Sequence, residues 1–305
     1  MVVSTNKQAA SAALPSARRS VRGSAVAERV ARVSSRLRRG MRLMRTFAAV
    51  TTCHAEGYEA YGRDMIASFE AHWPKSVPIY VYREGFEADI FSPRIIWRDL
   101  LKDCPDLVAF KQRHKNNPVA HGLNPHSRWQ VKFRVRRPTL RVRKVQDWGA
   151  GFRWDAVRFS HKSYSVFDAA RRCDADVMFW IDADTFTFND LPISFLEEVM
   201  PPDCIVSYLH RPRYSECGLV GYNLRHPGTA KFLDEFERLY TSDALFQEKE
   251  FHDSYLFDVV RKRFERQGYH TYDISEGRGG GRWARLRQQQ ARPVSRPPER
   301  RPQGG

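Results

Sequence analysis

Val177-Met178-Phe179-Trp180-Ile181-Asp182-Ala183-Asp184-Thr185-Phe186-Thr187-Phe188 opens with five apolar residues and stops at two carboxylates spaced two apart. A short run with no polar alternation, bounded by Asp176 and Asp182, predicts a strand buried on both faces of a parallel sheet. Asp182 and Asp184 then fall at its carboxyl end, where ligands of open α/β sheets bind. Side chains two apart in an extended chain project the same way, so two hard oxygen ligands are expected to converge there. Such a pair can hold Mg²⁺ or Mn²⁺ through one or two bonds and leave the other positions to water and phosphates.

Upstream, Thr46 to Val50 reads as a first buried strand with Thr51, Thr52, Cys53 and His54 as its exit loop. Tyr58, Tyr61, Met65, Ile66, Phe69 and Trp73 recur at helical spacing, and Pro74 stops the helix. Strands are expected over Val77 to Tyr82 and Arg94 to Trp97, which is βαβ grammar. Phe159, Ser163, Val166, Phe167 and Ala170 form a helical stripe directly before the Asp-bearing strand, with Arg158 and Lys162 one turn apart beside it. Those two cations could reach a diphosphate, and solvation at a surface explains them equally well. Later come a helix over Leu191 to Met200, strands over Ile205 to Leu209 and Gly218 to Leu224, and two amphipathic helices. The first helix carries Phe232, Phe236, Leu239 and Tyr240, and the second carries Tyr255, Leu256, Val259, Val260 and Phe264. The fold class expected is α/β, with a mostly parallel Rossmann-like central sheet flanked by helices.

The chain has 305 residues and a formal charge of +16, which looks like a nucleic-acid signal until the charge is located. Residues 1 to 46 carry +10 and residues 277 to 305 carry +7, leaving −1 for the 230 between them. The Ala/Ser/Arg-rich head (1–45) and Arg/Gln/Pro/Gly-rich tail (276–305) read as disordered, flanking a domain over 46–275. Ala25 to Arg39 could lie as a basic amphipathic helix on an anionic membrane, the head also looks like a transit peptide, and a start at Met41 or Met44 explains it too. No apolar stretch approaches the ~20 residues needed to cross a bilayer. Five scattered cysteines without a C-x-x-C spacing predict reduced thiols in a cytoplasmic protein and argue against a structural zinc site.

Between Asp106 and Asp147 there is no acid, and Lys132, Arg134 and Arg136 alternate with Val131, Phe133 and Val135. A half-exposed strand or hairpin with a cationic face is expected, able to meet phosphates or an anionic acceptor; a solvated surface hairpin accounts for the same pattern.

Taken together, Asp182-Ala183-Asp184 after Val-Met-Phe-Trp-Ile, the helix entered through Arg-Phe-Ser-His-Lys, and the first strand Phe-Ala-Ala-Val-Thr-Thr resemble the GT-A-fold glycosyltransferases, the nucleotide-diphospho-sugar transferase superfamily. The resemblance covers roughly residues 45 to 275. It implies a metal-dependent transferase of the hexosyltransferase kind, moving a sugar from a nucleotide-diphosphate donor, a UDP-sugar first of all, to a glycan, lipid or protein acceptor. It assigns metal binding to Asp184 with Asp182, and a ribose contact to Asp182. Thr51, Thr52, Arg158 and Lys162 would line the donor site. Ser215 to Asn223 and Phe251 to Ser254 look like the acceptor half, so Asp253 and Glu216 are the candidates to deprotonate an acceptor hydroxyl. Asp253 could equally cap the helix that follows it, and Glu216 could be a turn residue. Many family members add a His ligand near the C-terminus, whereas this chain turns to Gly-Arg-Gly-Gly-Gly-Arg-Trp after Glu276, as a truncated or frameshifted reading frame would. His252 or His270 could substitute.

Haloacid-dehalogenase phosphatases also place D-x-D after a buried strand, but want Thr or Val where Phe186 stands. Sugar-nucleotide pyrophosphorylases need a Gly-rich loop after the first strand, where residues 51 to 63 hold only Gly57 and Gly62. Nucleic-acid binding would rest on the two basic ends alone, without a recognisable reader motif.

Overall fold

The run that begins at Val177 forms strand β6 (Val177–Ile181), and all five of its residues are buried. The computed structural model describes residues 45–275 apart from 124–125 and 135–138, and over 126–150 it describes the backbone alone. β6 lies beside β1 (Phe47–His54) in parallel, Phe47 facing Val177 and Val50 facing Trp180. On its other side β8 (Glu216–Asn223) runs antiparallel. With β2 (Ile79–Glu84), β3 (Ile95–Asp99), β7 (Cys204–Leu209) and β9 (His270–Asp273), they form a seven-stranded sheet in the order β3-β2-β1-β6-β8-β7-β9. Pairings β1/β2, β2/β3, β1/β6 and β7/β9 are parallel, and only those of β8 are antiparallel. The expected α/β architecture with a mostly parallel central sheet is therefore present.

Helices cover both faces, which explains the absence of alternation in β6. Phe179 and Ile181 pack with Met65, Ile66 and Phe69 of helix α1 (55–72) and with Leu196 and Val199 of α5 (Ile193–Val199). Met178 and Trp180 face the opposite layer, built from α3 (Pro105–Arg113), α4 (Ala156–Arg172), α6 (Pro227–Thr241) and α7 (Asp253–Arg266). Between β3 and α3 a four-residue helix α2 (Leu100–Asp103) is capped by Asp99, whose side chain accepts from the Lys102 amide.

The structure corrects several boundaries. Thr51 to His54 are not an exit loop but the second half of β1, because β2 continues alongside and pairs with them as far as His54 opposite Glu84. Helices α2 and α3 and the edge strand β9 were not expected; each is shorter than the roughly 11-residue window over which periodicity is legible. The expected hairpin is present as β4 (His126–Arg134) and β5 (Thr139–Asp147), antiparallel with Lys132 opposite Arg141. Its cationic face, the basic head and the tail lie outside the described residues. None of the described helices is long and apolar enough to cross a membrane.

Candidate active site

The chain leaves β1 for β2 and β3 on one side, then returns to lay β6 on the other. The order reverses between β1 and β6, and such a switch point opens a crevice beyond the strand ends because the two crossover helices diverge to opposite faces. A cleft of about 670 Å³ occupies that place. Thr52, Cys53 and His54 come to it from β1, Glu84 from β2, and Trp180, Asp182, Ala183 and Asp184 from β6 and the turn after it. Arg158, Phe159, His161 and Lys162 enter from the first turns of α4, whose N-terminus is capped by Asp155 accepting from the Arg158 amide at 3.0 Å. Tyr61 comes from the π-helical turn Tyr58–Gly62 within α1. Such turns are rare and gather at functional sites.

Beyond Ile181 the chain does not stay extended. The Thr185 amide donates to the Asp182 carbonyl at 3.0 Å, closing a turn, so the parallel projection expected for an extended D-x-D gives way to two different environments. Asp182 Oδ1 accepts from Trp180 Nε1 at 2.6 Å and from Lys162 Nζ at 2.9 Å. Asp184 is exposed to the cleft. Partial enclosure and the neighbouring Asp182 charge push its carboxyl above the usual range.

Lys162 is the centre of the ionic arrangement. Its ammonium also donates to the Cys217 carbonyl at 2.5 Å, pairs with Asp253 Oδ2 at 2.8 Å and lies 4.9 Å from the Trp180 ring centroid. Burial alone would lower its pKa, but the facing Asp182 and Asp253 outweigh burial and hold it well above the ordinary lysine range. Asp253 shows the mirror case. Burial would raise it, yet the Lys162 charge and hydrogen bond keep it below the usual carboxylate range.

A second ionic group closes the β2 end. Glu84 accepts from Lys111 Nζ at 2.7 Å and meets His161 Nε2 at 3.2 Å. The His161 hydrogen bond, helped by Lys111 and opposed by burial, lowers the Glu84 carboxyl to about 2. Cys53 lines the cleft as a neutral thiol, pushed up to about 12 by burial.

The cleft thus gathers Thr52, Arg158, Lys162, Asp182 and Asp184 among the residues singled out from the sequence. Thr51, Glu216 and Asp253 do not line it. Thr51 is fully buried within β1, and its hydroxyl has no hydrogen-bond partner. Glu216 sits at the start of β8, paired with Arg211 and accepting from the Gly218 amide at 3.1 Å. Burial pushes its carboxyl up against the pull of Arg211. Asp253 does not cap α7; the His252 ring does, accepting from the Tyr255 amide at 3.3 Å, while Asp253 is the first helical residue and turns to Lys162. His252 is buried against Glu250, and burial holds its pKa down. His270 begins β9 opposite Cys204, at the end of the sheet remote from Asp182, so it cannot replace a cleft ligand. Glu84, Tyr61, His161 and Trp180 were not marked as site residues from the sequence. Glu84 carried one usable signal, a carboxylate at the carboxyl end of a strand neighbouring β1.

No protein-family model matches the chain, and no curated protein matches it. Among solved structures it is similar to the glycosyltransferase GlyE of Streptococcus pneumoniae TIGR4. In apo form the identity is 10% and the TM-score 0.39, over 75% of this chain and 45% of that one. In a second crystal structure of GlyE they are 11% and 0.40, over 76% and 46%. It is also similar to the galactosyltransferase LgtC in complex with donor and acceptor sugar analogs, at 13% identity and TM-score 0.34, over 67% of each chain. The chain spans less than half the length of the GlyE chains it matches. Likeness at this level assigns no activity.

Among the described residues no group of three or more His, Cys, Asp or Glu side chains is arranged to hold a metal ion. What the cleft offers is a two-carboxylate set. Asp184 faces the cleft, and Asp182 has Oδ1 held by two donors while its Oδ2 accepts no hydrogen bond among the described residues. Mg²⁺ or Mn²⁺ accepts such a set when phosphates and water complete its octahedron, so the residues fit a metal that arrives with a phosphorylated ligand rather than one caged by protein.

Proposed function

We propose that the chain is a metal-dependent glycosyltransferase that binds a nucleoside-diphosphate sugar, a UDP-sugar first of all, between β1 and β6, and passes the sugar to a glycan, lipid or protein acceptor. The observation that carries this reading is the coincidence, in one cleft at the switch point of the sheet, of the carboxylates Asp182 and Asp184 with the cation Arg158. The guanidinium of Arg158 lies against the Phe159 ring, and among the described residues it forms no ion pair. A diphosphate needs both kinds of group. Arg158 meets its oxygens through a planar fork, and the carboxylates attract the ion that shields them.

Asp184 would hold the ion directly, with Asp182 contributing its second oxygen or meeting the ribose. When bound, that ion acts as a Lewis acid on the charge that builds on the departing diphosphate. Thr52 and Tyr61 also line the cleft and would bound the nucleoside. On the acceptor side, Glu216 is the better proton acceptor of the two carboxylates. Its carboxyl is raised, whereas Asp253 is held low and bound to Lys162. Asp253 acts through Lys162 instead of touching the acceptor.

A panel of UDP-, GDP- and CMP-sugars with and without Mn²⁺, read by thermal shift, tests the proposal without needing the acceptor, because a ligand bound to the native state raises its stability by mass action. One nucleotide class is expected to raise Tm only with Mn²⁺ present. No shift with any donor would overturn the reading, and an equal shift in EDTA would remove the metal from it.

A further inference from the structure

Lys162 is an interior cation placed between the two halves of the proposed site. Its side chain is 16% exposed, and its ammonium spans Asp182 on the donor side at 2.9 Å and Asp253 on α7 at 2.8 Å. The same oxygen of Asp182 that Lys162 holds is held again by Trp180 Nε1. Two donors on one oxygen fix the carboxylate and leave Oδ2 as its only outlet. A positive charge in direct contact with one of two metal-seeking carboxylates also repels any cation that approaches the pair.

We infer that Lys162 is a positioning residue that keeps the empty cleft from taking up a free divalent cation, so that the metal enters together with the nucleoside diphosphate. The inference rests on the donor reading above and names how the site orders its ligands. In the empty cleft Lys162 already neutralises Asp182, and only Asp184 attracts a free ion. A diphosphate adds negative charge beside Asp184 and Arg158, and the ion then has phosphate oxygens as well as carboxylate to bind. Asp253 sets the strength of the effect by drawing Lys162 away from Asp182. Without Asp253 the ammonium belongs to Asp182 alone, and the cleft should resist metal more strongly.

Isothermal titration of MnCl₂ into the full chain, with and without UDP, provides the test, using wild type, Asp253→Asn and the double variant Lys162→Met/Asp253→Asn. The double variant leaves no unpaired interior charge, so it separates repulsion from misfolding. Wild type should bind free Mn²⁺ weakly and gain at least about 10-fold in affinity when UDP is present, as a single charge close to a divalent ion warrants. The double variant should bind free Mn²⁺ about 10-fold more tightly than wild type and gain less from UDP. Asp253→Asn should bind free Mn²⁺ more weakly than wild type. Equal Mn²⁺ affinity in wild type and a folded double variant would overturn the inference while leaving the donor reading intact. Failure of wild type to bind any of UDP, GDP and CMP at any Mn²⁺ concentration would overturn the donor reading itself.

Discussion

Replacing Lys162 by Met should expose how much of the structure hangs on one ammonium. The methionine fills much of the lysine stem's volume, so the change is chiefly the loss of charge. Asp182 keeps its hydrogen bond from Trp180 and its access to solvent, at 36% side-chain exposure. Asp253, at 10%, keeps a hydrogen bond from the Ser254 backbone amide but little access to solvent. Removing one partner of a buried ion pair costs about 3–5 kcal/mol, because the remaining charge is stranded in low dielectric. For a domain of this size that is a fall in Tm of roughly 6–20 °C. The pH dependence fixes the cause. In wild type the Asp253 carboxyl is held below its ordinary value, so the pairing stabilises the fold above the unfolded carboxylate pKa of about 3.9 and is lost as pH falls through the depressed folded value. In Lys162→Met the same carboxylate loses the Lys162 charge and hydrogen bond, its largest offsets to burial, so protonation relieves the defect. The stability gap to wild type should be widest near pH 7 and should narrow toward about pH 4. Adding Asp253→Asn should restore most of the loss. Urea denaturation of the three proteins from pH 4 to 8 measures this directly. A Lys162→Met protein as stable as wild type at pH 7, or a double variant less stable than the single one, would refute the stranded-charge reasoning.

Asp184→Asn should leave the fold intact, since the side chain is exposed to the cleft, and should abolish the Mn²⁺ dependence of nucleotide binding in the thermal-shift assay. Gly57→Ala would place a methyl group 2.6 Å from the Tyr61 hydroxyl and 3.0 Å from the His54 ring. It should weaken nucleotide binding by displacing two cleft residues, and calorimetry showing unchanged affinity would remove Tyr61 from the nucleoside's surroundings. Gly221→Ala would bring a Cβ to 2.8 Å from Phe179 and into the Ser207 hydroxyl, an overpacking that should cost about 1–3 kcal/mol in urea denaturation. Glu84→Gln should flatten the acid limb of the stability profile. The lowered Glu84 carboxyl, at about 2, contributes stability above its unfolded pKa of about 4.3 that wild type loses as pH falls through about 2 and the variant never has.

Periodicity along the chain was enough to find β6, the helices α1, α4, α6 and α7, and the D-x-D at the end of the central strand. Burial pattern is a local property, and a residue's apolar neighbours three or two positions away are already in the sequence. The same locality brought Arg158 and Lys162 into the cleft, because they share a helix face with its apolar stripe. Only the tertiary structure decided that β8 enters antiparallel between β6 and β7, that β9 adds an edge, and that β1 runs on through His54 because β2 lies beside it. Those outcomes depend on pairings between segments tens to more than a hundred residues apart, which no local period encodes. The site divides in the same way. That Asp182 and Asp184 stand at a strand end follows from sequence. That one is clamped by Trp180 and Lys162 and the other stands open, and that Asp253 serves Lys162 while His252 caps α7, follows from contacts spanning up to 91 positions, where charge and burial are set by whichever distant side chain the fold delivers.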